Sequence, residues 1–394
     1  MSQTALAPNP DVVSDDGLIA PHGGVLKELY LPHGEAEALK QRSAQLPGVD
    51  LNTRQLCDLE LLLSGAFSPL EGFLGRDDYQ RVVEELRLAD GTLWPIPITL
   101  DVSESFAATL NEGDEIALRD SQGVPLAVLD VQDIYWPDRV HEAKRVFGST
   151  DRLHPGVAEL LDRTQPVAIG GRVRGIQRPA HYDFGELRDT PRSLREWFAA
   201  NGWSRIVAFQ TRNPMHRAHR ELTLRAAQQV GAKLLIQPSV GRTKPGDVDH
   251  YTRVRCYRAL LPQYPADSVK LSLLPLAMRM GGPREALWHA IIRKNHGASH
   301  FIVGRDHAGP GKDSNGQPFY GPFDAQSLLE QHQAELGIQI VPFPAMVYAA
   351  IAMPTCRPPR SPWTTRCATS PAPSCASTCM KAPRSRPGSA FPTW

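Results

Sequence analysis

The alternation of strand-like and helix-like segments between residues 184 and 340 constrains the fold of this chain more than any other feature. Short apolar runs recur there, separated by longer segments with helical periodicity. Strands that alternate with helices in this way predict a parallel sheet with helices packed on its faces. The predicted strands are SRIVAFQ (204–210), AKLLIQPSV (232–240), VKLSLLPL (269–276) and SHFIVG (299–304), and the predicted helices cover 215–230, 250–261 and 283–295.

Residues 1–183 follow a different pattern, in which short β-branched runs are separated by Gly, Pro and Asp. This pattern predicts a mostly β domain, with a small barrel as one form it could take. The runs are LWPIPITLDV (93–102), DEIALRDSQGVPLAVLDVQDIY (114–135) and PVAIGGRVRGI (166–176), and a helix followed by a loop is predicted over 58–75.

Composition and charge exclude several classes of protein. A formal net charge of +1 argues against a general nucleic-acid or membrane-surface binder. The sequence contains no apolar run of 18 residues, and its N-terminus lacks the features of a signal peptide, so we expect a cytoplasmic protein. The six cysteines form no C-x-x-C pair, which disfavours structural zinc.

Charged, glycine-rich loops follow three of the predicted strands. They are QTRN (210–213), GRTKPGD (241–247) and GRDHAGPG (304–311). Ligands of open parallel sheets bind beyond the carboxyl ends of the strands. The sequence therefore predicts a binding site where these three loops meet.

The stretch QTRNPMHRAHRE (210–221) concentrates anion-seeking groups beside a predicted helix start. Asn213 suits an N-cap and Pro214 the first helical position, which would direct the positive end of the helix dipole at the ligand. His216 and His219 are three residues apart and share one helix face. Together with Arg212, this arrangement predicts a polyphosphate site.

Other interpretations of these residues are possible. The H-x-x-H pair could bind zinc, but the sequence offers no acidic or Cys ligand at a diagnostic spacing, and it could also be plain helix surface. Lys244 could contact phosphate or be a solvated loop lysine. Five further histidines are predicted to be surface or packing residues: His250, His289, His296, His300 and His332.

Long motifs in the chain resemble those of the ATP sulfurylase (sulfate adenylyltransferase) family over about residues 20–348. The motifs are SGAFSPLEGFLG (64–75), QTRNPMHRAH (210–219), GRTKPGDVDH (241–250), LPLAMRMGG (274–282), WHAIIRKNHGASHFIVGRDHAGPGK (288–312) and FYGPFDAQ (319–326). The resemblance implies an α/β protein with a PUA-like, mostly β domain (1–183), a Rossmann-like nucleotidyltransferase domain (184–340) and a small, disrupted C-terminal remnant (341–394). The implied reaction converts MgATP and sulfate to adenosine 5′-phosphosulfate and pyrophosphate, or the reverse, with Mg²⁺ arriving on ATP and no metal site in the protein.

The resemblance also assigns roles to residues. Thr211, Arg212 and Asn213 would form a catalytic turn, while His216 and His219 would stabilise charge on the phosphates. Sulfate would be held by Gln210, Arg212 and the Ala308 backbone. The residues expected to contact the nucleotide are Gln210, Arg212, Asn213, Gly304, Arg305, Asp306, His307 and Val347, with Phe343 beside Val347 near the adenine.

Two other classes of function stay open at this stage. One is a nucleotidyltransferase with a different oxyanion acceptor, and the other is a catalytically impaired nucleotide-binding homologue. The resemblance further implies a homo-oligomer that binds no nucleic acid and no membrane. Some relatives carry a fused adenylylsulfate kinase, but the sequence contains no G-x-x-x-x-G-K-[ST], so we expect that kinase to be a separate protein.

The resemblance ends after MVY (346–348). Residues 351–394 contain no Asp or Glu and nine prolines, a composition typical of disorder. The segment TSPAPSCA (369–376) can nevertheless be encoded by bases that spell N-I-S-G-T-E-L-R when read one base earlier, and APRSRPGS (382–389) likewise yields G-A-P-I-P-A-W-F. ISGTELR is a motif of the family, and we infer that residues 349–390 are read out of frame.

Resequencing the gene tests this hypothesis. We expect a base lost near the codon of Ala349 and a base gained near that of Ala390. If both changes are real, the chain should be protease-sensitive and weakly active or inactive, because the C-terminal domain lacks its core pattern. A confirmed tail that is folded and supports full activity would contradict this expectation.

Overall fold

The computed structural model describes residue 14, residues 16–343, and the backbone of residues 347–348 and 355–356. The helices are α1 His33–Ser43, α2 Thr53–Leu63, α3 Arg76–Glu85, α4 Glu104–Ala107, α5 Arg139–Val146, α6 Pro155–Asp162, α7 Pro191–Ala200, α8 Arg217–Val230, α9 His250–Leu260, α10 Gly282–Asn295 and α11 Asp324–Leu336. The strands are β1 Gly48–Asp50, β2 Gly72–Phe73, β3 Leu100–Val102, β4 Glu115–Arg119, β5 Pro125–Tyr135, β6 Val167–Gly175, β7 Ile206–Phe209, β8 Lys233–Ile236, β9 Val269–Leu271, β10 His300–Val303, β11 Gln339–Pro342, β12 Val347–Tyr348 and β13 Thr355–Cys356.

The first half of the chain is built on a mixed sheet in the order β1-β4-β5-β6-β2, with β3 also paired to β6. All pairs except β1–β4 are antiparallel. The hairpin β4–β5 turns at Gly123, whose φ of 81° lies in the left-handed region that glycine adopts without strain. The predicted mostly β domain is confirmed, although helices α1 to α6 accompany its strands.

The second half contains a sheet in the order β11-β10-β7-β8-β9, and every neighbouring pair in it is parallel. The predicted α/β sheet is therefore confirmed. The strands β7, β8 and β10 are central in it and, apart from His300 and the partly buried Lys233, consist of buried apolar residues. Their carboxyl ends lie at one edge, which brings together the loops QTRN, GRTKPGD and GRDHAGPG.

Helix α10 connects the two halves. All of its 14 residues except Pro283 are buried, so it has no polar outer face. Asn295 at its end donates hydrogen bonds to the carbonyls of Ala66 and Ser68 (2.9 and 3.0 Å). Arg284 donates to the carbonyl of Val82 (3.0 Å). The first half of the chain thus holds a helix whose opposite side supports the second sheet.

Some predictions fall outside the described residues. These are the side chain of Val347, whose backbone belongs to β12, and the frame-shift hypothesis for 349–390. Phe343 is described, and its side chain is buried in the core of the second half. In the part of the chain that the structure describes, no helix is long and apolar enough to cross a membrane.

Four buried histidines make stability depend on pH. Burial lowers the pKa of His22, His154 and His300 to about 4 and that of His296 to about 3. The unfolded chain, with pKa values near 6.5, binds more protons than the folded chain below that pH. Stability is therefore complete above about pH 6.5 and is lost as pH falls toward 4.

We expect the free energy of unfolding to fall by about 1 kcal/mol per pH unit for each of these groups below pH 6.5. Urea unfolding at pH 7.5 and pH 5.5 measures the difference. His300→Leu should reduce this decrease in the free energy of unfolding by the contribution of one histidine. An equal free energy of unfolding at the two pH values would contradict the prediction.

Candidate nucleotide and oxyanion site

A cavity of about 340 Å³ opens at the carboxyl edge of the parallel sheet. Eleven of the residues predicted for the site line this cavity. They come from both the QTRN and the GRDHA segments. They are Gln210, Thr211, Arg212, Asn213, His216, His219, Gly304, Arg305, Asp306, His307 and Ala308. Met278 and His289 also line it, and the sequence analysis had assigned neither to the site.

The helix after QTRN begins later than predicted. Helix α8 starts at Arg217 with His216 as its N-cap, so the assignment of Asn213 as cap and Pro214 as first helical residue was wrong. The Thr211 hydroxyl accepts from the Asn213 N–H (3.2 Å), and the Tyr257 hydroxyl donates to the Asn213 carbonyl (2.8 Å). These contacts hold Asn213 in a turn outside the helix.

This shift brings the two histidines to the helix N-terminus itself. His216 Nδ1 accepts a hydrogen bond from the Ala218 N–H (3.3 Å), and His219 Nδ1 accepts from the His216 N–H (3.4 Å). Burial lowers the pKa of His219 to about 4, with a further contribution from His216, whose own pKa burial also lowers. Both rings are neutral at pH 7 and, because Nδ1 accepts, each carries its proton on Nε2. The pair therefore offers two N–H donors to an anion.

Arg212 is held by an acidic residue that sequence reasoning missed. Its Nη1 makes an ion pair with Asp247 Oδ1, and the side chains are 17% and 9% exposed. Asp247 Oδ2 in turn accepts from the Lys244 N–H (3.2 Å). A guanidinium has five N–H donors, so one contact to Asp247 fixes its orientation and leaves others for a ligand. The signal was present in the sequence as the aspartate that closes GRTKPGD.

Lys244 connects two of the loops. Its Nζ donates to the carbonyl of Pro310 (3.3 Å), in the loop after β10. This contact occupies one of the three N–H donors of the ammonium, so both alternatives that the sequence left open, phosphate contact and solvation, are compatible with it. The contact fixes the spacing between the GRTKPGD and GRDHAGPG loops.

The GRDHA loop has an unusual backbone. Asp306 and Ala308 both have φ of 54°, in the left-handed region that non-glycine residues rarely adopt. Strain of this kind persists where surrounding contacts impose it and is frequent at functional sites. The Asp306 N–H donates to the Pro322 carbonyl (2.9 Å), and the Ala308 carbonyl accepts from the Gly282 N–H (3.3 Å).

His289 supports this loop from below. It is fully buried, and its Nδ1 lies 3.0 Å from His307 Nε2. Its Nε2 lies 3.3 Å from the buried carboxylate of Glu285. Burial lowers the pKa of both histidines, so neither adds positive charge at neutral pH. The prediction that His289 is a packing residue was incomplete, because it also forms part of the cavity wall. Four other histidines predicted as surface or packing residues lie outside this cavity: His250, His296, His300 and His332.

Among residues 14 and 16–343, no cluster of three or more His, Cys, Asp or Glu side chains is arranged to hold a metal ion. The cavity instead combines a helix N-terminus, neutral imidazole donors and an oriented guanidinium. Such groups bind anionic oxygen atoms. Fold and site together define an α/β nucleotidyltransferase domain that follows a PUA-like domain.

Comparison with known proteins gives the family. Residues 185–366 match the ATP-sulfurylase family, and residues 19–178 match a PUA-like domain. Residues 185–366 of this chain therefore form a domain of the ATP-sulfurylase family. It is 60% identical over 335 residues to a sulfate adenylyltransferase of Gibberella zeae, and 60% identical over 315 residues to one of Schizosaccharomyces pombe. These alignments cover 83% and 79% of this chain but only 58% and 64% of the relatives.

A solved structure is similar over nearly the whole chain. It is described as a hexameric APS kinase from Thiobacillus denitrificans, is 32% identical in sequence and superimposes with a TM-score of 0.74. The match covers 94% of this chain and 65% of that one. The chain thus spans less than two thirds of the length of each of these three proteins.

The protonation of His219 can be measured directly. We expect its imidazole to titrate at about pH 4 and to carry its proton on Nε2 at pH 7, because burial disfavours the charged ring and Nδ1 accepts from the backbone. Long-range ¹H–¹⁵N NMR correlations report both properties, with His219→Asn to assign the signal. A midpoint near pH 6.5, or a proton on Nδ1, would contradict this description of the site.

Proposed function

We propose that this chain is a sulfate adenylyltransferase, which converts MgATP and sulfate to adenosine 5′-phosphosulfate and pyrophosphate or runs the reverse reaction. The observation that carries the proposal is the convergence of Gln210, Arg212 and the two histidines on one cavity of about 340 Å³. Gln210 and Arg212 suit a small oxyanion, and the N-terminus of α8 suits phosphates. The names of the two 60%-identical relatives support the same activity.

The reaction is a direct displacement at the α-phosphorus. A sulfate oxygen forms the new P–O bond while the bond to the bridging oxygen of the β-phosphate breaks, and its electron pair leaves with pyrophosphate. No proton has to move, so no general base is required. Within the cavity, the Thr211 hydroxyl donates to the Asn213 carbonyl (3.2 Å) and maintains the turn. This hydrogen bond gives Thr211 a structural role and not that of a nucleophile.

Catalysis then depends on alignment and on donors placed where charge develops. The Nε2–H groups of His216 and His219 would contact phosphate oxygens, aided by the dipole of α8. Arg212, oriented by Asp247, would hold sulfate together with Gln210 and the Ala308 N–H. The loop Gly304–His307 would contact the nucleotide, and Mg²⁺ would arrive bound to the phosphates of ATP.

We propose the oligomeric state and the partners of this chain by analogy with its relatives. The structural relative is described as hexameric, which supports a homo-oligomer for this chain as well. Adenosine 5′-phosphosulfate is the substrate of an APS kinase, and we propose that a kinase activity of that type consumes the product here.

A catalytically impaired homologue is the second candidate. It is favoured by the composition of residues 351–394, which contain no Asp or Glu and lack the ISGTELR motif in the reading frame given. Turnover of the purified chain distinguishes the two candidates.

The test is ATP formation from adenosine 5′-phosphosulfate and pyrophosphate, together with sulfate-dependent pyrophosphate release from MgATP. We expect Arg212→Lys to reduce the sulfate-dependent rate by about 100-fold, because an ammonium cannot grip an oxyanion with two parallel N–H groups. ATP binding should survive, since the histidines and α8 are untouched.

Arg217→Lys is the matched control. It makes the same change at the exposed first residue of α8, outside the cavity wall, and should leave the rate within about two-fold. Near-normal activity of Arg212→Lys would contradict the assignment of Arg212 to sulfate. A parent chain without either activity would contradict the proposed function.

A further inference from the structure

A buried arginine lies directly behind the proposed sulfate site. Arg293 of α10 is fully buried, and its Nη2 donates both to Gln210 Oε1 and to the Gln237 carbonyl (2.9 Å). Its Nε and Nη1 have no hydrogen-bond partner among the described residues. Burial lowers its pKa to about 9, which leaves the group charged at neutral pH. A buried cation with unpaired N–H groups is costly, so packing alone does not explain its presence.

The contact with Arg293 determines which way the Gln210 amide faces. A guanidinium only donates hydrogen bonds, so the amide oxygen, not the amide nitrogen, must be the atom that contacts it. Gln210 Nε2 therefore lies on the other side, where it donates to Ser239 Oγ (2.8 Å). The same nitrogen is 3.7 Å from Met278 Sδ, and Met278 lines the cavity together with Gln210.

One N–H of Gln210 thus has only a weak acceptor. Thioether sulfur accepts hydrogen bonds poorly, whereas a sulfate oxygen accepts them strongly. An oxyanion entering the cavity can take over this N–H without breaking the bond to Ser239. If the amide were rotated by 180°, its carbonyl oxygen would face the cavity and repel the anion.

We propose that Arg293 is a positioning residue that locks the Gln210 amide with its NH₂ group toward the cavity and thereby makes the site selective for an oxyanion. The inference rests on the proposed function, because it takes sulfate as the ligand of Gln210. Arg293 does not touch the ligand in this proposal and acts only through Gln210.

The test compares sulfate affinity among variants of the full chain, measured by calorimetry with sulfate and by the KM for sulfate. Arg293→Met should weaken sulfate binding by about 10- to 100-fold, the usual value of a hydrogen bond to a charged group, while the KM for ATP stays within about two-fold. Arg293→Lys should give an intermediate loss, because one ammonium can donate to Gln210 but lacks the planar fork of the guanidinium.

Arg284→Met is the matched control. Arg284 is a second buried arginine of α10, and it donates to the carbonyls of Val82 and Val83, away from the cavity. Its loss should lower thermal stability without changing sulfate affinity. A purely structural role of Arg293 would give the same result in both variants.

A double-variant cycle separates positioning from general damage. In the Gln210→Met background, Arg293→Met should weaken sulfate binding by less than about two-fold, since the amide that it orients is gone. If the Gln210→Met and Arg293→Met substitutions reduced sulfate affinity independently, so that their fold losses multiplied, the proposal would be overturned. An unchanged sulfate affinity in Arg293→Met would also overturn it. If that variant does not fold, Arg293→Lys provides the same test, and an affinity equal to that of the parent overturns the proposal.

Calorimetry keeps the two hypotheses apart. A parent chain that binds sulfate but does not turn over contradicts the proposed function alone. A parent that turns over, with an Arg293→Lys variant of equal sulfate affinity, contradicts the positioning role alone. A parent that neither binds sulfate nor turns over contradicts both.

Discussion

The parallel register of β7, β8 and β10 is the constraint on which the site depends. Parallel strands end at the same edge, so three loops that are more than 20 residues apart in sequence meet there. Each loop then needs contacts of its own to keep its shape. The Lys244–Pro310 bond joins two of them, and the bonds of Thr211 and Tyr257 to Asn213 maintain the third. The cavity is therefore a consequence of topology, and its precise form is a consequence of a few polar side chains.

The cavity carries less positive charge at pH 7 than its histidines and arginines suggest. His216, His219, His289 and His307 all have lowered pKa values, so the histidines that line the cavity are neutral at pH 7. Arg212 is paired with Asp247 before any ligand arrives. The proposed reaction has two anionic substrates, so the site needs to attract anions, but it must also release an anionic product. Oriented neutral donors and a partly compensated arginine provide stabilisation that depends on geometry and falls off with distance faster than bare charge.

The sequence predicted the strands of the second half well because each is a short apolar run bounded by polar loops, and β7, β8 and β10 lie within the predicted ranges. It also predicted which loops converge, since that follows from parallel topology. It failed at Asn213 and Pro214, which have the local features of a helix start, because Thr211 and the distant Tyr257 hold Asn213 in a turn. Asp247, His289 and Arg293 were missed for a related reason. Their importance comes from contacts with Arg212, His307 and Gln210, and such pairings between distant residues leave no periodic pattern in the sequence.

Helix α10 contacts both halves of the chain. His289 lines the cavity from this helix and Arg293 contacts Gln210 behind it, while Asn295 donates to backbone carbonyls of the first half. Arg279, just before α10, pairs with the buried carboxylate of Asp58 at 2.6 Å. The residues beneath the oxyanion site are thus positioned by hydrogen bonds to a different part of the chain. The first half thus contributes contacts to the helix behind the site, although none of its described residues lines the cavity.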